Sequence, residues 1–119
     1  MNKNIFVILG LTVVLAGGLF FLQTSSQTLE KVVITMTETG YSPTNITIKK
    51  GQTVVFENKG TKNLWPASNI HPTHGIYPEF DPQKTVAVGE SWEFTFDKIG
   101  IWRYHDHIYP EITGVITVE

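Results

Sequence analysis

Beyond an N-terminal apolar segment, hydrophobic and polar positions alternate with the period of two that is typical of β-strands. Such runs occupy residues 32–37, 44–58, 84–98, 100–107 and 113–119, and glycine-containing turns interrupt the two longest ones. None of these segments shows a helical period. The pattern therefore predicts an all-β domain, built as an antiparallel sandwich or barrel.

The N-terminal segment differs, because residues 5–22 form a continuous apolar run without any charge. A helix needs about 20 apolar residues to span a bilayer, whereas the apolar core of a secretory signal has about 7–15. The run is long, and no clean A-x-A cleavage pattern follows it, which favours an uncleaved anchor over a cleaved signal. We therefore predict one apolar helix in residues 1–26, as a signal anchor or signal peptide, and a single domain over residues 27–119.

Both alternatives place the domain outside the cytoplasm. An uncleaved helix would attach it to the membrane of the cell envelope, facing outward, and a cleaved one would leave it secreted or periplasmic. The chain has no cysteine, so an exported domain would fold without disulfides, and thiolate is excluded as a nucleophile or metal ligand. The net charge is −2 without any basic block, so nucleic acid is not an expected partner.

The long irregular segment 59–83 separates two groups of predicted strands. Loops of this length in a small domain are usually functional or disordered. Its large apolar side chains, among them Trp65, Tyr77 and Phe80, argue against disorder. We predict an ordered excursion that packs over one end of the sandwich.

All four histidines of the chain lie in two pairs, His71 with His74 and His105 with His107. On a strand, His105 and His107 share one face and lie about 7 Å apart, a workable spacing for two ligands of one metal ion. Imidazole binds copper, zinc, nickel and iron, and nitrogen-rich tetragonal sites favour Cu(II). The pairs predict a site of three or four imidazoles for copper, with zinc as the alternative.

Strand alternation also bears on where such a site would lie. If Tyr104 and Asp106 face the core together with Trp102, then His105 and His107 point outward. The metal would then lie on the surface, where a partner subunit could share it. Alternatively, the strand bends at this point and turns both histidines over the loop at the end of the sandwich.

Asp106, between the two strand histidines, is a fifth candidate for the metal site, with two alternative roles. It could orient a histidine or bind the metal weakly through an oxygen. It could also pair with Arg103, Lys62 or backbone donors and have no role in metal binding. Two further acidic residues, Glu79 and Asp81, are interpreted as turn formers beside prolines.

The domain resembles a cupredoxin, in particular the EfeO-type and plastocyanin-like single-domain proteins. The resemblance rests on YSPTNITIKKGQTVVFENKG (41–60), GESWEFTFDKIGIWRYH (89–105) and GVITV (114–118). It implies a Greek-key sandwich of two sheets with copper at one end. In the family, a histidine from the middle loop and a Cys, His and Met set near the C-terminus bind this copper.

That ligand set does not carry over to this chain. Asp106 stands where the family's cysteine is expected, and Tyr109 and Ile112 stand where its second histidine and methionine are expected. A blue site requires the copper–thiolate bond, so a blue electron-transfer protein is not expected.

The histidine motifs resemble those of another group. YHDH is similar to the YHSH and HCH strands of multicopper oxidases, and HPTHG is similar to their HPxHxHG loop. Such histidines bind copper between cupredoxin domains in those enzymes. The resemblance implies copper at His71, His74, His105 and His107.

The leading prediction is an extracytoplasmic copper-binding protein for copper capture, delivery or sensing. One alternative is a redox, electron-transfer or small oxidase-like module, which would need an oligomer and an open coordination position and could have a redox protein as its partner. Another is an interaction domain without metal. The residues favour a binding protein over an enzyme.

Overall fold

The computed structural model describes residues 28–119, which form eight β-strands in two four-stranded sheets. The strands are β1 (Val32–Thr37), β2 (Gly40–Ser42), β3 (Asn45–Ile48), β4 (Thr53–Asn58), β5 (Pro66–Ser68), β6 (Ser91–Thr95), β7 (Gly100–Asp106) and β8 (Thr113–Val118). Their order is β2-β1-β4-β6 in one sheet and β3-β8-β7-β5 in the other. The prediction of an all-β sandwich is confirmed.

The predicted N-terminal helix and the boundary between residues 26 and 27 lie outside the described residues. Within residues 28–119 there is no helix long and apolar enough to cross a membrane.

Each sheet is mixed, because it contains one parallel pair of strands. β1 runs parallel to β4 and β3 runs parallel to β8, whereas the remaining pairs are antiparallel. The sandwich that the alternation predicted as antiparallel is therefore antiparallel in four of its six strand pairings and parallel in two. Alternation along a strand determines which face a side chain takes, but it carries no information on the direction of the neighbouring strand.

Aromatic side chains fill the core between the sheets. Phe80, from the long loop, is fully buried there. Its ring centroid lies 5.6 Å from that of Phe56 on β4, 5.4 Å from Phe94 on β6 and 5.3 Å from Tyr104 on β7. Since these partners come from both sheets, Phe80 fastens the loop to the sandwich core.

The segment 59–83 is ordered, as predicted, and lies against the second sheet, which has the strand order β3-β8-β7-β5. It contributes β5, a short strand that the sequence pattern did not reveal, which pairs with β7 so that Ala67 lies opposite His105. The Ser68 N–H donates to the Phe80 carbonyl at 2.8 Å, and Tyr77 is buried beside the core. These contacts hold the following stretch, residues 69–76, close to the end of β7.

Candidate metal centre

The structure brings the two histidine pairs together. One nitrogen of each of the four rings lies within 4.8 Å of the corresponding nitrogen of every other ring. His71 Nδ1 lies 3.2 Å from His105 Nε2, and His74 Nε2 lies 3.0 Å from His107 Nδ1. Neighbouring nitrogens that share an ion at about 2.0–2.1 Å lie roughly 2.8–3.4 Å apart. Both cross-pair distances therefore fit a single shared metal ion.

His105 lies on β7, on the face of the second sheet that points away from the core residue Tyr104. Arg103, the preceding residue on that face, is exposed, but His105 is only 3% exposed. The loop after β5 covers it, and His105 Nδ1–H donates to Asn69 Oδ1 at 2.8 Å. This hydrogen bond leaves Nε2 unprotonated and directed at the other histidines.

His107 is the first residue beyond β7, which ends at Asp106. Its backbone N–H donates to the Trp65 carbonyl at 2.7 Å, and its ring packs on the Trp65 ring with centroids 4.5 Å apart. The sequence left open whether the two strand histidines face outward or are turned over the loop by a bend in the strand. A bend describes His107, which lies just beyond the end of β7. The other alternative, an outward-facing strand histidine, describes His105, but the loop after β5 covers the face on which it lies and leaves it buried.

His71 and His74 are presented by the turn that follows β5. The His74 N–H donates to the Ile70 carbonyl at 2.6 Å, and His74 has a left-handed backbone with φ of 56°. A non-glycine residue adopts this conformation at a cost of about 1 kcal/mol or more. The turn buries the ring of His74 and leaves that of His71 exposed.

Asp81 is a site residue whose role the sequence did not reveal. Its Oδ2 accepts a hydrogen bond from His74 Nδ1 at 2.7 Å, and its Oδ1 accepts from Trp65 Nε1 and from the Gln83 N–H, each at 2.8 Å. Burial by itself raises the pKa of Asp81, but these hydrogen bonds lower it below its ordinary value. The ionised carboxylate thus fixes the His74 tautomer and leaves Nε2 free for a metal.

The interpretation of Asp81 as a turn former was incomplete, because Asp81 accepts hydrogen bonds both from the Gln83 N–H in the turn and from the ring of His74. The acidic character of the loop was a visible signal, but the sequence could not show which carboxylate reaches a ring. Glu79, two residues earlier, is exposed and pairs with Lys98 at 3.3 Å. Glu79 lies in the turn closed by the 2.9 Å hydrogen bond from the Phe80 N–H to the Tyr77 carbonyl, so its interpretation as a turn former agrees with its placement.

Asp106 lies outside the group of four imidazoles. Its fully buried carboxylate accepts hydrogen bonds from the backbone N–H groups of Trp65 at 2.6 Å and of Ile108 and Tyr109 at 2.9 Å each. This placement corresponds to the second of its two alternative roles, with backbone donors rather than Arg103 as partners. Asp106 thereby joins the start of the long loop to the turn after β7.

The environment of the site lowers the pKa of two of its imidazoles, those of His105 and His107. Burial lowers the pKa of His105 to about 4, and the proximity of His74, His71 and His107 adds to this effect while Asp81 opposes it. Burial also lowers the pKa of His107, with His74 and His71 contributing. Neutral imidazole is the form that binds metal ions, so both rings are available as ligands at neutral pH.

The hydrogen bond from His74 to Asp81 leads to a testable prediction. Asp81→Asn should weaken copper binding about 10- to 100-fold, because a carboxamide accepts more weakly and can itself donate to His74 Nδ1, which would favour the wrong tautomer. Competition titration against a Cu(II) chelator measures the change. Glu79→Gln is the matched control and should leave the affinity unchanged, whereas equal affinities of the two variants would contradict this role of Asp81.

The model of the family described as "Cupredoxin-like domain" matches residues 8–118. Among solved structures, a reduced amicyanin variant aligns with a TM-score of 0.65 at 20% identity, covering 75% of this chain and 82% of that one. A purple cupredoxin from Nitrosopumilus maritimus aligns with a TM-score of 0.60 at 21% identity, covering 74% of this chain and 99% of that one.

A copper-containing nitrite reductase from Thermus scotoductus aligns with a TM-score of 0.65 at 24% identity. The alignment covers 76% of this chain but only 22% of the reductase. No curated protein matches the chain. The structural likenesses show the fold, and the family match extends over almost the whole sequence; the chain belongs to the cupredoxin-like domain family.

Proposed function

We propose that the protein binds one copper ion outside the cytoplasm through His71, His74, His105 and His107, for capture, delivery or sensing of copper. The observation that carries this proposal is the convergence of four imidazole nitrogens within 4.8 Å of one another at one site. Two of these rings, His74 and His105, have their other nitrogen bonded to an oxygen acceptor, which directs the free nitrogen into the group. Such outer hydrogen bonds are typical of metal-binding histidines.

The ligand types that the chain offers determine which kind of copper site it can form. A thiolate copper site does not fit, because the chain has no cysteine. Four imidazoles do fit, since Cu(II) prefers nitrogen ligands and binds such sites more tightly than zinc does. The copper would have the spectroscopic character of an all-nitrogen site.

The accessibility of the site supports an exchanging role over a purely structural one. His71 is exposed and His107 is partly exposed, so an ion could reach the site without unfolding of the domain. The apolar run at residues 5–22 supports a location at the cell envelope or beyond it.

A titration of the full-length protein with Cu(II) tests the proposal. We expect one copper per chain after dialysis, nitrogen hyperfine structure in the electron paramagnetic resonance spectrum, and no intense thiolate-to-copper absorption. Copper should displace zinc when the two compete, in keeping with the order of stability of their complexes. A protein that holds no copper after dialysis, or that prefers zinc, would contradict the proposal.

A further inference from the structure

The four histidines divide into a buried half and an accessible half. His74 and His105 are each 3% exposed, and each is held at its outer nitrogen, by Asp81 and Asn69 respectively. These hydrogen bonds determine both the tautomer and the rotation of the ring. The buried half is therefore organised for binding before any ion arrives.

His71 is restrained far less than the other three. Its ring lies beside two other histidine rings, with centroids 5.2 Å from that of His105 and 5.1 Å from that of His107. Among residues 28–119, no group forms a hydrogen bond with its Nε2, and the side chain is exposed. His107 is intermediate, because its ring packs on Trp65 although its Nε2 likewise forms no hydrogen bond there.

We infer that His71 is the exchangeable ligand of this centre, the position at which an external neutral nitrogen donor replaces a protein ligand as copper enters or leaves. The inference rests on the proposed copper site. Ligand exchange at a metal requires one ligand to leave while the others retain the ion. Departure is easiest for a ring that water can solvate and whose outer nitrogen is not held by a protein hydrogen bond, which is the case for Nε2 of His71.

Chemical rescue of glycine variants tests this assignment. His71→Gly in the full-length protein should still bind one Cu(II), with affinity lower by roughly 10²-fold, about the share of one ligand in a four-ligand site. Added imidazole at millimolar concentration should occupy the vacated position. It should restore the four-nitrogen resonance spectrum and most of the lost affinity.

His74→Gly is the matched variant in the buried half, and glycine suits the left-handed backbone at this position. Added imidazole should not rescue it, because the position that the His74 ring vacates is buried. Because a loss of affinity lies mostly in the rate of dissociation, transfer of copper to a chelator should also be at least about tenfold faster from His71→Gly than from the unmodified protein. If His74→Gly does not fold, the rescue of copper binding in His71→Gly by imidazole and its rate of copper transfer are sufficient to test the assignment of His71.

The possible failures are distinguishable. An unmodified protein that binds no copper would overturn the proposed function, and the inference with it. If the unmodified protein binds copper, then loss of all binding in His71→Gly, absence of rescue, or equal rescue at position 74 would overturn the assignment of His71 alone.

Discussion

Replacing His74 and His105 together by alanine should weaken copper binding by about 10⁵-fold, the largest loss that any pair of substitutions in this protein should cause. Structural zinc sites with four protein ligands bind their ion with about 10–16 kcal/mol, so each ligand of such a site accounts for roughly 2.5–4 kcal/mol, or a factor of about 10²–10³. His74 and His105 form the buried half of the site, which is held by hydrogen bonds to Asp81 and Asn69. Competition titration against chelators of graded affinity measures the loss.

The control for this experiment is Thr73→Ala, because Thr73 is exposed and lies between His71 and His74 without being among the grouped ligands. It should bind copper as tightly as the unmodified protein does. Circular dichroism should show that the double variant keeps its β-structure. Copper affinity in the double variant within tenfold of the unmodified protein would show that the metal is held elsewhere.

Saturation with copper should raise the melting temperature by about 15–30 °C. An ion that binds only the folded state, at 1,000 times its dissociation constant, adds about 4 kcal/mol to the free energy of unfolding. A domain of this size gains about 4–8 °C for each kcal/mol. Scanning calorimetry of the full-length protein with and without Cu(II), and again after addition of a chelator, measures the shift and its reversal.

The site combines two distant parts of the chain, so we expect it to be absent from the unfolded chain, and copper then stabilises the folded state alone. Copper would cross-link the loop after β5 to the end of β7, and the variant without His74 and His105 should show almost no shift. A metal-free interaction domain predicts no shift in either protein. An equal shift in both would mean that copper stabilises the fold from another position.

The sequence predicted much of the fold because the relevant signals are local. Alternation of apolar residues revealed most of the strands, including the face that carries Trp92 and Phe94. The strand β5 was not predicted, because it is only three residues long and begins with a proline. The parallel pairings β1–β4 and β3–β8 also escaped notice, because strand direction depends on distant partners.

By itself, the sequence determined that an all-β domain carries four histidines in two close pairs and lacks any thiolate, because residue type and period are properties of each segment alone. Only the tertiary structure decided that the two pairs meet, that His105 is covered, and that Asp81 rather than Asp106 bonds a histidine ring. These outcomes depend on where the long loop lies. Its position is set by the packing of Phe80 against both sheets and by the pairing of β5 with β7, which are contacts between residues far apart in the chain.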